Sequence, residues 1–338
     1  MSTSPTGPRV GLLLPTFASL HRHPGAPAAL VEAATSAEAL GFTSLWVIDH
    51  LLPAPTYGQS WLEPLISLAW LAGRVPRLRL GTAVLVAPLR HPVLLAKEAA
   101  SLQLLSGGRL ILGLGAGWNP VEFGALGVPR SERGSRTDEI LDALRVLLGR
   151  PEASFAGDHF RFDDVVLEPR PDPPIPLWIG GGTQPPMRGA SERHLRAPDR
   201  VIRRIAGADG WCAPPHAGPE QLAGDWERIQ GAARSMGRDP RRITFAQQGY
   251  VHLVETASRD RALEEQRRAF EGYLGPARPW SFARANYLVG TFDDVIERLR
   301  QRAATGVEEL VLGPVTADPR EIRRQLELLR TRVVPELG

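Results

Sequence analysis

Apolar residues along the chain alternate between two patterns. Short, almost wholly apolar runs occupy Val10 to Leu14, Ser44 to Ile48, Leu80 to Val86, Leu110 to Leu114, Leu177 to Ile179, Gly210 to Ala213, Ile243 to Leu253 and Glu309 to Leu312. Runs of this kind, without polar alternation, are expected of strands buried on both faces. Between them lie segments with helical spacing, among them Ala28 to Leu40, Leu62 to Leu71, Val93 to Leu105, Thr137 to Leu148, Asp199 to Ala206, Pro219 to Met236 and Pro319 to Leu329. Punctuation supports these limits. Gly41, Gly237 and Gly306 stand where helices stop, Thr291-x-x-Asp294 caps a helix start, and Ser60-x-x-Glu63 reads as a capping box opening the helix at Leu62. Strand followed by helix, repeated eight times, predicts an α/β fold closed as a single (β/α)8 TIM barrel.

Three stretches depart from that rhythm. Ser154 to Leu167, with Phe155, Phe160 and Phe162 around Gly157-Asp158, predicts a β-hairpin inserted before strand five. A long loop, 183–198, follows strand five and is expected to act as a lid or substrate contact. The segment 275–286 after strand seven, with Trp280 and Phe282, is expected to wall a pocket. No repeat or low-complexity linker divides the chain, so one domain over 8–335 is expected.

Composition narrows the chemistry. The chain of 338 residues has no apolar run long enough to cross a bilayer, and its start lacks the apolar core of a signal peptide, so a cytoplasmic location is expected. Cys212 is the sole cysteine, which excludes an intrachain disulfide, and it reads as a small core residue. The net charge of +3 comes from arginines scattered over helices, with no basic block among aromatics, so nucleic acid is not an expected partner. Lys97 is the only lysine and falls mid-helix, poorly placed for Schiff-base chemistry.

Active sites of barrels of this kind sit just beyond the C-terminal ends of the strands. Asp49-His50 follows strand two. His50 is a candidate to donate a proton or hydrogen bond near neutral pH, and the competing reading is a strand-end cap partnered by Asp49. Strand four empties into Gly113-Leu-Gly115-Ala116-Gly117-Trp118-Asn-Pro-Val-Glu122. Backbone N–H groups of such a loop suit a cofactor phosphate. Trp118 is either a pocket wall or core, and Glu122 either an acid or a helix-start carboxylate. The spacing is not G-x-G-x-x-G, so a Rossmann site is not indicated. After strand five, Gly180-Gly181-Gly182-Thr183 offers three glycines and a hydroxyl to an anion, or is a flexible turn. His91 before Pro92 is a cap or a ligand contact. His21 and His23 lack an evident third ligand, so no metal site is expected. His159, His194, His216 and His252 are assigned surface or packing roles.

These segments, together with Gly41 to His50, Trp61-Leu-Glu-Pro-Leu65, Leu80 to Pro92, Pro176 to Gly182, Ala208 to Trp211 and Gly290 to Asp294, resemble the luciferase-like flavin and deazaflavin oxidoreductases, particularly the branch using coenzyme F420. The resemblance runs in family order from about residue 9 to about residue 315. It implies hydride transfer between F420 and a small, apolar organic substrate. FMN is the alternative cofactor, implying a reduced-flavin monooxygenase with a separate reductase, and a non-catalytic flavin-binding protein is a further reading. It also implies that His50 lines the site beside Asp49, that the ring is backed by a non-proline cis peptide at Ala83–Val84, and that Gly115, Ala116, Gly117 and Gly180 to Thr183 contact the cofactor. Trp118 stands where sugar-phosphate dehydrogenases of the family place a carboxylate. Their phosphate-gripping lysines have no counterpart here, which argues against a sugar phosphate. Homodimers are common among such proteins.

Overall fold

In the computed structural model, residues 7–16, 25–53, 61–184, 196–274 and 278–338 are described. Parallel strands β1 (Arg9–Leu13), β2 (Ser44–Val47), β3 (Arg79–Thr82), β4 (Leu85–Val86) and β5 (Leu110–Gly115) come first. After the antiparallel hairpin β6 (Ala153–Ala156) and β7 (Arg161–Val165) come β8 (Leu177–Gly180), β9 (Gly210–Ala213), β10 (Thr244–Val251) and β11 (Glu309–Pro314). β3 and β4 form one stave interrupted at Ala83–Val84, so the sheet has eight staves. It closes where β1 pairs with β11, Val10 facing Leu310. In this order β2 and β9 lie four staves apart, directly across the barrel. The predicted barrel and inserted hairpin are both present.

Alternation along each strand sorts the core into two compartments. Leu45 and Val47 point outward to the helices, whereas Trp46 points inward; likewise Leu177 and Ile179 pack outward around the inward Trp178. The Trp46 and Trp178 rings sit 5.1 Å apart and plug the interior. Such large side chains need small neighbours. A Cβ on Gly81 would overlap the Trp46 ring, and one on Gly210 would lie 2.5 Å from Trp178. At the N-terminal end of the barrel, Trp46 Nε1 donates to Ser44 Oγ (2.8 Å), Ser44 donates to the fully buried Glu309 (2.5 Å), and Arg79 donates to the same carboxylate (2.8 Å). This end reads as stability, not chemistry.

Two local expectations are corrected, and one further helix is found. The helix after β2 is Pro64–Ala72, and its cap is Glu63, whose carboxylate accepts from Ile66 N at 2.7 Å; Ser60 lies outside the described residues. The helix before the hairpin begins earlier than Thr137, at Arg133. Arg259–Leu274 is helical, although its sequence has few apolar positions; charged pairs such as Arg261–Glu265 and Arg268–Glu264 run along its outer surface, while Ala262 and Phe270 are buried. Trp280–Asn286 is a short helix, and the central part of the loop after β8, 185–195, lies outside the described residues, as do His21 and His23.

Candidate active site

The mouth of the barrel is built from residues just beyond its strand ends. Asp49 and His50 leave β2 on different tasks. Asp49 is buried, and its Oδ2 accepts from Val86 N and from Arg90, both at 2.8 Å. Arg90 also reaches Glu63 at 3.2 Å. Asp49 thus ties β2 to β4 and to the next helix. His50 turns to Glu122, its Nδ1 3.3 Å from Oε1.

Glu122 lies in the short helix Pro120–Ala125, which Asn119 caps by accepting from Val121 N at 3.2 Å. The carboxylate is fully buried, and its Oε1 also accepts from Leu52 N at 3.2 Å. Among the described residues, Oε2 has no hydrogen-bond partner. A buried, half-satisfied carboxylate is costly unless something else uses it. Two indoles enclose the imidazole: Trp61 with ring centroids 4.8 Å away, and Trp118 edge-on at 5.4 Å. The structure therefore gathers His50, Trp118 and Glu122, which the sequence could name only separately.

Ala83–Val84 is a cis peptide, as the resemblance implied. Across the barrel, Gln248 of β10 donates to the Ala83 carbonyl at 3.1 Å and lies 3.4 Å from Cys212 Sγ. The glycines around this bulge have an unanticipated first use. A Cβ at Gly115 or Gly180 would come within 2.6 or 2.7 Å of Val84 Cγ2, and one at Gly113 would overlap the Thr82 carbonyl. They make room for the bulged stave, leaving Val84 as an apolar ledge between β5 and β8. Gly117 adds a left-handed conformation, φ +69°, that other residues rarely adopt.

Beyond β8, Gly181 and Gly182 take φ +142° and +141°. Thr183 donates through N (2.5 Å) and Oγ1 (2.8 Å) to the buried Asp225, while its Oγ1 accepts from Ala197 N at 3.0 Å. The Thr183 hydroxyl is thus engaged within the protein, and Asp225, not foreseen from the sequence, shapes this loop. Cys212 is buried, and burial pushes its thiol up to about 12, so it is no thiolate nucleophile. Lys97 donates from the outer side of its helix to the Glu168 carbonyl. His91 caps its helix, accepting from Val93 N at 3.3 Å.

Residues 8–309 match the family of luciferase-like monooxygenases. The chain belongs to that family. As a luciferase-like protein it is an oxidoreductase. Over 91% of its length it is 28% identical to a 4-hydroxyprotoasukamycin monooxygenase of Streptomyces nodosus subsp. asukaensis, 86% of which is covered. It is 36% identical to an F420-dependent glucose-6-phosphate dehydrogenase of Amycolatopsis mediterranei, in a match spanning 46% of this chain and 48% of that one. Among solved structures, an F420-dependent secondary alcohol dehydrogenase, in complex with an F420–acetone adduct, superposes with a TM-score of 0.78 at 19% identity, covering 98% of this chain and all of that one. The monooxygenase RslO1 from Streptomyces bottropensis gives 0.79 at 23% identity, covering 98% and 100%. At such identities the two structures speak for the luciferase-like barrel alone. Among the described residues, no helix is long and apolar enough to cross a membrane.

Proposed function

We propose that this luciferase-like domain, taken as 8–335, binds coenzyme F420 across the barrel mouth and transfers hydride between it and a small, apolar organic molecule in the cytoplasm. The observation that carries this reading is the His50–Glu122 pair, enclosed by Trp61 and Trp118 at the end of β2. The residues present fit the group. Val84 offers an apolar ledge for a flat ring, the indoles offer walls, and the half-satisfied Glu122 has capacity left beside His50.

Bound F420 supplies hydride chemistry at its deazaflavin carbon. The protein supplies position and a proton path. Glu122 holds Nδ1, so the imidazole keeps one orientation, and the opposite ring nitrogen handles the proton that accompanies hydride transfer. Asp49 and Arg90 fix the strand from which His50 projects. Gly181 and Gly182, with Gly115, Ala116 and Gly117, are the proposed contacts for the cofactor's ring and phosphate, and Thr183, whose donors go to Asp225, would touch it only through its methyl group. Asp225 orients the Thr183 end of that cradle.

A second reading rests on the monooxygenase relative matched over most of both chains. It takes reduced FMN from a separate reductase and uses the same mouth for oxygenation. Parallel titration with F420 and FMN, followed by tryptophan quenching, separates the two. Tight binding of F420 alone supports hydride transfer; tight binding of FMN alone transfers the protein to the monooxygenase reading; binding of neither removes both.

We also propose a homodimer. The adjacent helices Pro64–Ala72 and Pro92–Leu105 leave Ile66 and Leu94 more than half exposed, at 71% and 58%, with Leu105 at 69%. A patch of this kind on one face suits a second copy.

A further inference from the structure

Directly across the barrel from β2, strand β9 leads into Pro214-Pro215-His216-Ala217. His216 is only 5% exposed, yet among the described residues neither ring nitrogen has a hydrogen-bond partner. The loop itself is pinned: Gln247 of β10 donates to the Pro214 carbonyl (3.2 Å) and the Ala217 carbonyl (2.8 Å). The backbone is therefore held on both sides of His216. Its nearest ring is Phe282, with centroids 6.1 Å apart, on the helix Trp280–Asn286. Phe282 packs edge-on against Tyr287, whose hydroxyl accepts from Arg278 at 2.8 Å. Burial, with the Arg278 charge adding to it, drives the His216 imidazole down to about 3. The ring is neutral at any physiological pH and carries one N–H donor and one acceptor beside Phe282, which packs against the barrel's interior cluster.

A pair of unused polar atoms in such a place costs stability unless a ligand takes them up. We propose that His216 is a specificity-determining residue that recognises the neutral hydroxyl of an aromatic substrate, a phenol, whose ring packs against Phe282. A phenolic hydroxyl both donates and accepts, so it can meet either imidazole nitrogen. A hydrocarbon of the same shape would leave both nitrogens unsatisfied, and a polar site discriminates strongly against such an analogue. This assignment names the substrate class for the site proposed above and rests on that reading for the reaction, though not for binding.

The test is calorimetric titration of the protein, with and without saturating F420, using 4-methylphenol and 1,4-dimethylbenzene as matched probes. The expected result is a preference for the phenol on the order of tenfold in the wild-type protein, its loss in His216→Phe, and partial retention in His216→Gln. Equal binding of the two probes, a preference that survives His216→Phe, or binding of neither probe overturns the assignment. Circular dichroism melts confirm that each variant is folded. Failure of F420 to bind while the phenol preference persists would remove the proposed cofactor and leave the role of His216 standing.

Discussion

Two histidines follow strands that lie opposite each other in the barrel, and their surroundings differ in every respect that matters chemically. His50 follows β2 directly, has a carboxylate 3.3 Å from Nδ1, and is flanked by two indoles. His216 stands just beyond β9, has no hydrogen-bond partner among the described residues, and meets Phe282. Both lie where barrels of this architecture place functional groups. The position is thus shared, and the neighbours decide the task. A carboxylate partner 3.3 Å from Nδ1 orients the imidazole, so His50 suits proton movement. Apolar burial forbids the cationic form, so His216 suits recognition of a neutral group.

The sharpest way to break the comparison is to remove each side in turn. His50→Ala is expected to lower turnover with F420 by about a hundredfold or more, and Glu122→Gln by less, since the imidazole remains but loses its orienting charge. Single-turnover oxidation or reduction of F420, monitored by its absorbance, measures both. Equal turnover in all three proteins would strip the pair of its role.

A second test addresses the ledge between the two sides. Gly180→Ala would bring a methyl group to 2.7 Å from Val84 Cγ2, forcing the bulged stave to shift. A loss of about 1–3 kcal/mol in unfolding free energy is expected, as for other overpacked cores, together with weaker cofactor binding. Urea unfolding checks the first and fluorescence titration the second.

The third concerns acid. His216 in the folded protein titrates at about 3, below its ordinary value of 6.5, so the unfolded chain takes up a proton that the folded chain refuses. Its share of stability is complete above about pH 6.5 and is lost as pH falls from there toward 3. His252, also depressed chiefly by burial, acts in the same direction. His216→Phe should therefore flatten the decline in melting temperature between pH 6.5 and 4. A smaller effect is expected at the exposed helical face: Ile66→Glu should shift the protein from dimer to monomer in light scattering without altering F420 affinity.

Much of the barrel was legible because its strands are apolar on both faces and its helices carry Gly and Thr punctuation, as at Gly41 and Thr291. Part of the candidate site was also legible, since Asp49-His50 stands immediately after a strand in a recognisable string. What the chain order concealed were contacts made through space. Nothing local to Asp49 tells that it binds Arg90 and leaves His50 to Glu122. The signal for Gln248 was present, a polar residue within an apolar strand, but its partner is a carbonyl across the barrel. The glycines at 115 and 180 read naturally as room for a ligand, whereas their missing side chains first admit Val84. His216 gave no warning beyond its place after a strand, because burial is a property of everything that packs around it.

The central claim is that the two sides divide the work, cofactor chemistry at His50 and substrate recognition at His216. Its most direct measurement is the dissociation constant of F420 for wild-type, His50→Ala and His216→Phe proteins, read from the cofactor's fluorescence. The account predicts weakening on the order of tenfold for His50→Ala and an unchanged value for His216→Phe. Equal weakening in both variants, or weakening in His216→Phe alone, would contradict it.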